Sequence, residues 1–373
     1  MVSYAGGVLS SYKKYMINYI EKYFCGSQFS FPLQEACSKA NISLDAHQLK
    51  ALKRIREKIT NKTYKMVPNF CLCGHKGNEI IITEKDRFNL SFDFKLCKKC
   101  SLIRTDPVFD HRSLLDFYRD DFSLLHRGKV DAIDKHFLKM LPRGESFICL
   151  LKELSIIDNI ENVLEVGCSA GGNLYPFSEI GKKVEGYDYD LYYLQYGRSL
   201  GMNLNEGDFY ENIKLESQDL VILSHVLEHF IDPVKEVNKI LEKVKEHGYF
   251  LVEVPGVLDI HRSVIYPEQY FQNDHIYSFN EEYLKVFFAR LGLKILYSDE
   301  VCRFILEKPR GWKSVQIKNI YSDSLFKKYE VVEQYIKKTC FLNKYFPIKN
   351  IKRKIGSFLR RKGVLKWKIK IKK

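Results

Sequence analysis

The amino-acid sequence predicts an α/β protein with a doubly wound, mostly parallel sheet, an antiparallel last strand and a small cysteine-rich ribbon upstream. Three observations predict this architecture. Short apolar strands alternate with helices from Asn162 onward, a glycine-rich turn follows the first of these strands, and four cysteines form two close pairs between residues 71 and 100. Strands that alternate with helices of about 10–15 residues indicate a parallel sheet with helices on both faces.

The chain divides by its residue patterns into five segments. Leu49, Leu52 and Ile55 lie at helical spacing near the amino terminus. Within the α/β segment, Asn280 suits a helix N-cap, and the same helix ends at Gly292. The predicted segments are a helical start (1–66), a ribbon (67–109), a helical linker (110–160), the α/β domain (161–308) and a basic tail (309–373).

Composition excludes several classes of protein. The chain has 373 residues, of which 45% are hydrophobic and 28% charged. It is therefore neither disordered, collagen-like nor a coiled coil. The net charge of +14 is concentrated at one end, because residues 310–373 contain 20 Lys and Arg against 3 Asp and Glu. The rest of the chain is close to neutral, which argues against a nucleic-acid coat over the whole protein.

Targeting signals are not evident in the sequence. No apolar run approaches the ~18–20 residues that span a bilayer, and the first residues lack a basic and then apolar leader. We therefore expect a cytoplasmic protein. In that compartment, clustered cysteines indicate metal binding rather than disulfides.

The glycine-rich turn is the strongest local signal. VLEVGCSAGG (163–172) runs from a strand into a turn that contains Gly167 and Gly171. Such a turn lets the backbone approach a ligand closely. Asp188 ends the next strand, at the place where Rossmann-like sheets hold ribose hydroxyls. A nicotinamide enzyme would favour G-x-G-x-x-G, but the second glycine position here is Ser169.

Four ordered motifs, VLEVGCSAGG, VEGYD, EGDF and SHVLEHFIDP, together resemble class I S-adenosylmethionine-dependent methyltransferases over roughly residues 160–300. The resemblance implies that S-adenosylmethionine is the methyl donor. It places Asp188 at the ribose hydroxyls, with Asp208 and Phe209 at the adenine. The turn and the end of its strand would line the methionine part of the cleft, through Glu165, Gly167, Ser169 and Gly171.

The HVLEH segment supplies candidate acceptor-side groups. His225, Glu228 and His229 follow the strand LVILS, whose carboxyl end faces the ligand crevice. These three residues can act as acid, base or metal ligand. His275 is a fourth candidate downstream. We expect His229 and His275 to act as base or to position the acceptor, with Glu228 orienting them.

A divalent cation is the alternative role for this segment. In some members of the resembled family, the LEH glutamate and histidine bind a cation together with a later histidine. Those members usually have an acidic residue where this chain has His225, and magnesium prefers oxygen ligands. The histidine therefore argues against a magnesium site, although the sequence leaves a catalytic cation open.

The cysteine pairs predict a structural zinc site. Cys97 and Cys100 form a C-x2-C knuckle, whereas Cys71 and Cys73 are one residue closer together. Structural zinc takes four ligands in a closed tetrahedron. The four cysteines are the preferred set, and His75 in place of Cys71 is the alternative.

A cysteine ribbon ahead of the α/β domain resembles a methyltransferase subtype with an N-terminal zinc-binding domain. Relatives of that subtype methylate sugars, including C-methylation of nucleotide-linked ketosugars. The resemblance places Tyr118 near the active site. Ketosugar C-methylating members carry a tyrosine where this chain has Val226. O-methylation of a nucleotide-sugar, glycan or lipid-linked glycan is therefore the leading expectation.

The basic tail leaves its partner open. Residues 334–373 contain 15 Lys and Arg and no acidic residue, interleaved with aromatic side chains. Such a stretch can lie on an anionic membrane surface, bind RNA or remain solvated. A peripheral place at the inner membrane face would suit a lipid-linked acceptor. The alternatives to sugar methylation are an RNA methyltransferase and a non-enzymatic scaffold.

Overall fold

The computed structural model describes residues 42–127, 133–263 and 267–345. Most of the tail that the sequence predicts to be a membrane or RNA contact, and most of the predicted helical start, lie outside these residues. Within them, the strands are β1 (Met66–Val67), β2 (Glu79–Lys85), β3 (Ser91–Cys97), β4 (Ile103–Thr105), β5 (Val108–Phe109), β6 (Asn162–Val166), β7 (Lys183–Asp188), β8 (Asn203–Glu206), β9 (Gln218–Ser224), β10 (Val244–Glu253), β11 (Tyr277–Ser278), β12 (Lys294–Ser298) and β13 (Arg303–Glu307).

The helices lie around these strands. In chain order they are α1 (Ala46–Thr60), α2 (His111–Phe117), α3 (Ser123–Arg127), α4 (Ile133–Glu153), α5 (Tyr175–Glu179), α6 (Leu191–Ser199), α7 (Pro233–Leu241), α8 (Ile260–Ser263), α9 (Glu281–Arg290) and α10 (Lys328–Tyr345). A π-helical turn, Tyr118–Phe122, joins α2 to α3. None of the helices in the described residues combines the length and apolar content that crossing a bilayer requires.

The predicted α/β fold is confirmed by a seven-stranded sheet in the order β12-β13-β10-β9-β6-β7-β8. The central strands are parallel, and β13, the last strand in sequence, runs antiparallel to both of its neighbours. The order reverses direction between β6 and β9, and in such sheets the ligand crevice lies at that point, outside the carboxyl ends of the strands.

Helix α4 packs closely against the glycine turn. It is a single helix that continues through Pro142. A Cβ atom on Gly144 would lie 2.3 Å from the carbonyl oxygen of Asn173, and one on Gly172 would lie 2.8 Å from the carbonyl oxygen of Phe137. The close contact between α4 and the glycine turn therefore requires glycine at both positions. Because of this contact, side chains of α4 lie at the edge of the crevice.

The cysteine ribbon is built into the rest of the molecule. Strands β2, β3 and β4 form an antiparallel sheet, and β11 from the α/β domain is its fourth strand. The rings of Phe94 and Phe271 meet with centroids 5.0 Å apart. The sequence did not predict β11, because its two residues carry no strand pattern of their own. The ribbon and one face of the large sheet therefore share a hydrophobic core.

Candidate active site and metal centre

The glycine turn joins the ends of β6 and β7. Gly167 and Gly171 have φ angles of 75° and 76°, and Ser169 adopts a φ of 50°. Left-handed backbone of this kind is unfavourable for residues with a side chain. Ser169 remains there because its amide donates to Asp188 Oδ2 at 2.8 Å. Asp188 therefore holds the turn as well as facing the crevice.

Glu165 and Asn173 form a buried polar pair under the turn. Asn173 Nδ2 donates to Glu165 Oε1 at 2.7 Å. Glu165 Oε2 and Asn173 Oδ1 are also buried, and among the described residues neither atom has a hydrogen-bond partner. Burial raises the pKa of Glu165 to about 8, against the opposing effects of Asn173 and Arg143. Two unsatisfied acceptors at this point suit a ligand that brings a cationic donor group.

The predicted adenine end contains one residue that the sequence reasoning missed. Asp208 Oδ1 accepts from the Tyr210 amide at 3.2 Å, and Phe209 is buried against Tyr187 and Tyr210. Tyr189, by contrast, is 64% exposed. Partial burial of its hydroxyl, then the charges of Asp208, Glu236 and Asp188, raise its pKa, so this hydroxyl lies near the carboxylates of the donor site. Its place directly after Asp188 was the available signal.

The structure brings the four predicted acceptor-side residues together. Glu228 Oε1 lies 3.6 Å from His225 Nδ1, 3.9 Å from His229 Nε2 and 4.0 Å from His275 Nε2. Both Glu228 carboxylate oxygens are buried, and neither has a hydrogen-bond partner within the part of the chain that the structure describes. Burial alone would raise the pKa of Glu228, but His225 and the other two imidazoles outweigh it and lower that pKa. A buried carboxylate with these neighbours can orient an imidazole or share a cation.

A metal could be held by three of these residues. The ligand atoms of Glu228, His229 and His275 all lie within 4.8 Å of one another. His225 lies outside that group and faces Glu253 instead, with Nε2 3.5 Å from Glu253 Oε1. A set of two nitrogens and one oxygen suits zinc or other transition metals better than magnesium.

Charged partners that the sequence reasoning missed surround His225. Glu253 Oε1 also lies 2.9 Å from Arg143 Nε, and Glu253 Oε2 accepts from Arg303 Nε at 2.6 Å. Burial would raise the pKa of Glu253, but His225 and the two arginines lower it to about 2. Burial would in turn lower the pKa of His225, but the Glu228 and Glu253 carboxylates raise it. These partners come from distant segments, so no local motif identifies them.

Tyr118 reaches the same cluster from the π-helical turn. Its hydroxyl lies 3.0 Å from His229 Nδ1. The turn is held by buried Asp121, which accepts from Lys58 Nζ at 2.7 Å and from Tyr64 Oη. Helix α1 thus braces the turn that places Tyr118 beside His229. Single π-helical turns often occur at functional sites.

The four cysteines of the ribbon meet as the sequence predicts. The Sγ atoms of Cys71 and Cys100 are 3.5 Å apart, as are those of Cys73 and Cys71, and those of Cys73 and Cys97 are 3.7 Å apart. All four are buried, and none is in a disulfide. Zn–S bonds of about 2.3 Å in a tetrahedron separate the sulfurs by about 3.8 Å. The group fits zinc, and it includes Cys71 rather than His75.

Comparison with known proteins identifies the α/β domain. Residues 130–298 match a family described as methyltransferase domain. The match covers less than half of the chain, and over these residues it confirms the prediction of a methyltransferase domain. A search of curated proteins finds no significant match.

Three solved structures with a similar fold share under 20% of their residues with this chain. An S-adenosylmethionine-dependent methyltransferase from Archaeoglobus fulgidus is 19% identical, with 52% of this chain and 88% of that chain covered and a TM-score of 0.35. One from Mesorhizobium loti is 19% identical, with 27% and 49% covered and a TM-score of 0.25. An amino pentose methyltransferase of calicheamicin biosynthesis from Micromonospora echinaspora is 16% identical, with 35% and 58% covered and a TM-score of 0.29. This chain spans about half the length of the last two.

Proposed function

We propose that the protein transfers a methyl group from S-adenosylmethionine to a hydroxyl of a sugar or glycan. The observation that carries the proposal is the cluster of Tyr118, Glu228, His229 and His275 at the carboxyl end of β9, beside the glycine turn. A sugar hydroxyl needs a base to remove its proton, and His229 is placed for that role. The ribbon ahead of the domain, which resembles that of sugar methyltransferases, favours the sugar class.

The residues at and near the glycine turn fit the methyl donor, S-adenosylmethionine. Asp188 would hold the ribose hydroxyls and Asp208 the adenine amino edge, while Glu165 Oε2 and Asn173 Oδ1 offer acceptors to the ammonium group. When bound, S-adenosylmethionine supplies an electrophilic methyl group on a positively charged sulfur. The chain's own contribution is to align the acceptor hydroxyl with that methyl carbon and to exclude water.

His229 accounts for the proton. The acceptor oxygen would take the methyl group that bound S-adenosylmethionine would supply, with S-adenosylhomocysteine as the leaving group. The hydroxyl proton passes to His229 Nε2. Glu228, whose Oε1 lies 3.9 Å from that nitrogen, stabilises the resulting imidazolium. His275 faces the same carboxylate and orients the acceptor.

The class of acceptor is identified by incubating the protein with methyl-labelled S-adenosylmethionine and, in turn, nucleotide-sugars, lipid-linked glycans and RNA. Incorporation of label and KM are measured at increasing salt concentrations. We expect label on a sugar hydroxyl and little change in KM with salt. An RNA acceptor would instead lose about 10³-fold or more in affinity between 50 and 200 mM salt if it makes about six phosphate contacts. Label on RNA, or on a ketosugar carbon, would overturn the proposal.

Donor binding is expected to strengthen as pH rises from 6 to 8. Glu165 has its pKa raised to about 8 by burial, so it is protonated at neutral pH. The ammonium group of S-adenosylhomocysteine favours the ionised carboxylate, and binding below pH 8 therefore releases a proton. The affinity should rise by up to about tenfold per pH unit and level off above pH 8.

Calorimetry in buffers of different ionisation enthalpy counts the released proton. The variant Glu165→Gln should lose the part of the pH dependence that belongs to this carboxyl, while retaining that of the ligand's own amino group. The same proton release in the variant and the wild type would contradict the assignment.

For the basic tail we propose attachment to an anionic membrane surface, which suits a lipid-linked acceptor. The charge of residues 334–373 supports this proposal. Truncation after Tyr345, the last residue of α10, is expected to abolish co-sedimentation with phosphatidylserine vesicles at low salt, with donor affinity unchanged. Equal sedimentation of the truncated and full chains would refute it.

A further inference from the structure

A chain of buried polar side chains lies behind His229, on the side away from Glu228. It consists of Arg87 from the turn after β2, His126 from α3 and Asp274 from the segment before β11. Asp274 is 2% exposed. The Arg87 amide also donates to the carbonyl oxygen of Phe271 at 2.8 Å, which fixes the ribbon turn against the segment that carries Asp274.

The hydrogen-bonding capacity of each partner determines the tautomer of His126. Arg87 Nη2 lies 2.8 Å from His126 Nδ1. A guanidinium can only donate, so His126 Nδ1 must accept. Burial, foremost, and Arg87 lower the pKa of His126 to about 3, and the ring is neutral. A neutral ring that accepts at Nδ1 carries its hydrogen on Nε2.

Asp274 lies on that side of the ring. His126 Nε2 and Asp274 Oδ1 are 3.5 Å apart, an ion-pair distance, and neither atom has a hydrogen-bond partner in the described part of the chain. The ring of Phe122 stacks on His126 with centroids 4.3 Å apart and fixes its plane. Because the hydrogen of His126 is on Nε2, Asp274 Oδ1 is the acceptor that faces it.

Asp274 in turn determines the tautomer of His229. His229 Nδ1 lies 2.9 Å from the Asp274 carbonyl oxygen and 3.5 Å from its Oδ2. Both oxygens can only accept, and the Tyr118 hydroxyl, 3.0 Å from the same nitrogen, can accept as well as donate, so Nδ1 carries the hydrogen. In a neutral ring this leaves the lone pair on Nε2, which is the nitrogen nearest Glu228.

We propose that Arg87, His126 and Asp274 form a relay of polar contacts that holds His229 with Nδ1 protonated and Nε2 free to accept a proton. The three are positioning residues, because they act through His229 and not on the acceptor. This proposal rests on the proposed function in one respect, namely that His229 is the base. It also gives the ribbon, through Arg87, a part in arranging the active site.

The tautomer is read directly by long-range ¹H–¹⁵N correlation on protein labelled with ¹⁵N-histidine, with His229→Asn to assign the signal. The expected result at neutral pH is the Nδ1–H tautomer for His229. Asp274→Asn replaces the Oδ2 contact at 3.5 Å by an amide that can donate to Nδ1, but it keeps the backbone carbonyl at 2.9 Å. The Nδ1–H form should therefore remain the major one while the Nε2–H fraction rises measurably, and kcat should fall by up to about tenfold with unchanged affinity for S-adenosylhomocysteine. His126→Gln should shift the tautomer in the same direction by less.

Asp232→Asn is the matched control, since Asp232 caps α7 outside the relay. It should lower stability and leave the His229 tautomer unchanged. An Nε2–H tautomer in the wild type, or an unchanged tautomer in Asp274→Asn, would overturn the proposal; if Asp274→Asn does not fold, the wild-type spectrum and His126→Gln decide. If no sugar is methylated but the tautomer is as expected, the proposed function fails and the relay stands.

Discussion

Replacing His229 with asparagine is expected to reduce kcat by about 10²–10⁴-fold, the usual contribution of a positioned general base. The asparagine amide can still donate to the Asp274 carbonyl that now accepts from Nδ1 at 2.9 Å. It has no group at the position of Nε2 to accept the hydroxyl proton. Donor binding should be unchanged, because the glycine turn and Asp188 are untouched.

The matched control for this change is His247→Asn. His247 lies on β10 with its side chain 63% exposed and pairs with Glu307 at 3.2 Å. Both variants are assayed for initial rates with saturating donor and for affinity towards S-adenosylhomocysteine. A His229 variant that retains more than about a tenth of the wild-type kcat would show that another group takes the proton.

Loss of the four-cysteine site is expected to have the largest effect on stability. Structural zinc contributes apparent binding free energies of about 10–16 kcal/mol in small zinc domains. The sulfurs of Cys71, Cys73, Cys97 and Cys100 have the spacing of a tetrahedral set. The variant Cys97→Ser should therefore lose bound zinc and unfold the ribbon, with a large fall in Tm.

The variant Cys97→Ser should also disturb the active site. Thr105 on β4 donates from Oγ1 to the His275 carbonyl oxygen at 2.6 Å, and its amide donates to the Ile276 carbonyl at 3.0 Å. Unfolding of the ribbon removes both bonds and releases His275. Cys149→Ser is the control, since Cys149 is an exposed cysteine on α4. Zinc-free wild-type protein with an unchanged Tm would contradict a structural role for the site.

The parts of the site that the sequence predicts are those encoded locally. The glycine turn and Asp188 follow directly from strand ends, and the HVLEH segment follows β9 at the same edge of the sheet. The spacing of the cysteines predicts their meeting for the same reason. Each of these features depends on a few neighbouring residues, so one short pattern is enough to identify it.

The parts that the sequence reasoning missed depend on contacts between distant segments. Thr105 and His275 are 170 residues apart in the chain and meet only because β11 joins the ribbon sheet. His126 and Asp274 carry no motif, and either would be interpreted as an ordinary polar residue. Arg143 reaches Glu253 because α4 packs closely on the glycine turn. Predicting these partners would require the tertiary packing itself.

The most direct test of the central claim is calorimetric titration of zinc-assayed protein with S-adenosylhomocysteine. Micromolar binding in the wild type, abolished in Asp188→Ala, is the result that a donor site at the glycine turn predicts. Asp158→Ala, an exposed change at the opposite end of the sheet, should bind as the wild type does. Folded, zinc-loaded wild-type protein that binds no S-adenosylhomocysteine would contradict the claim and favour a non-enzymatic scaffold.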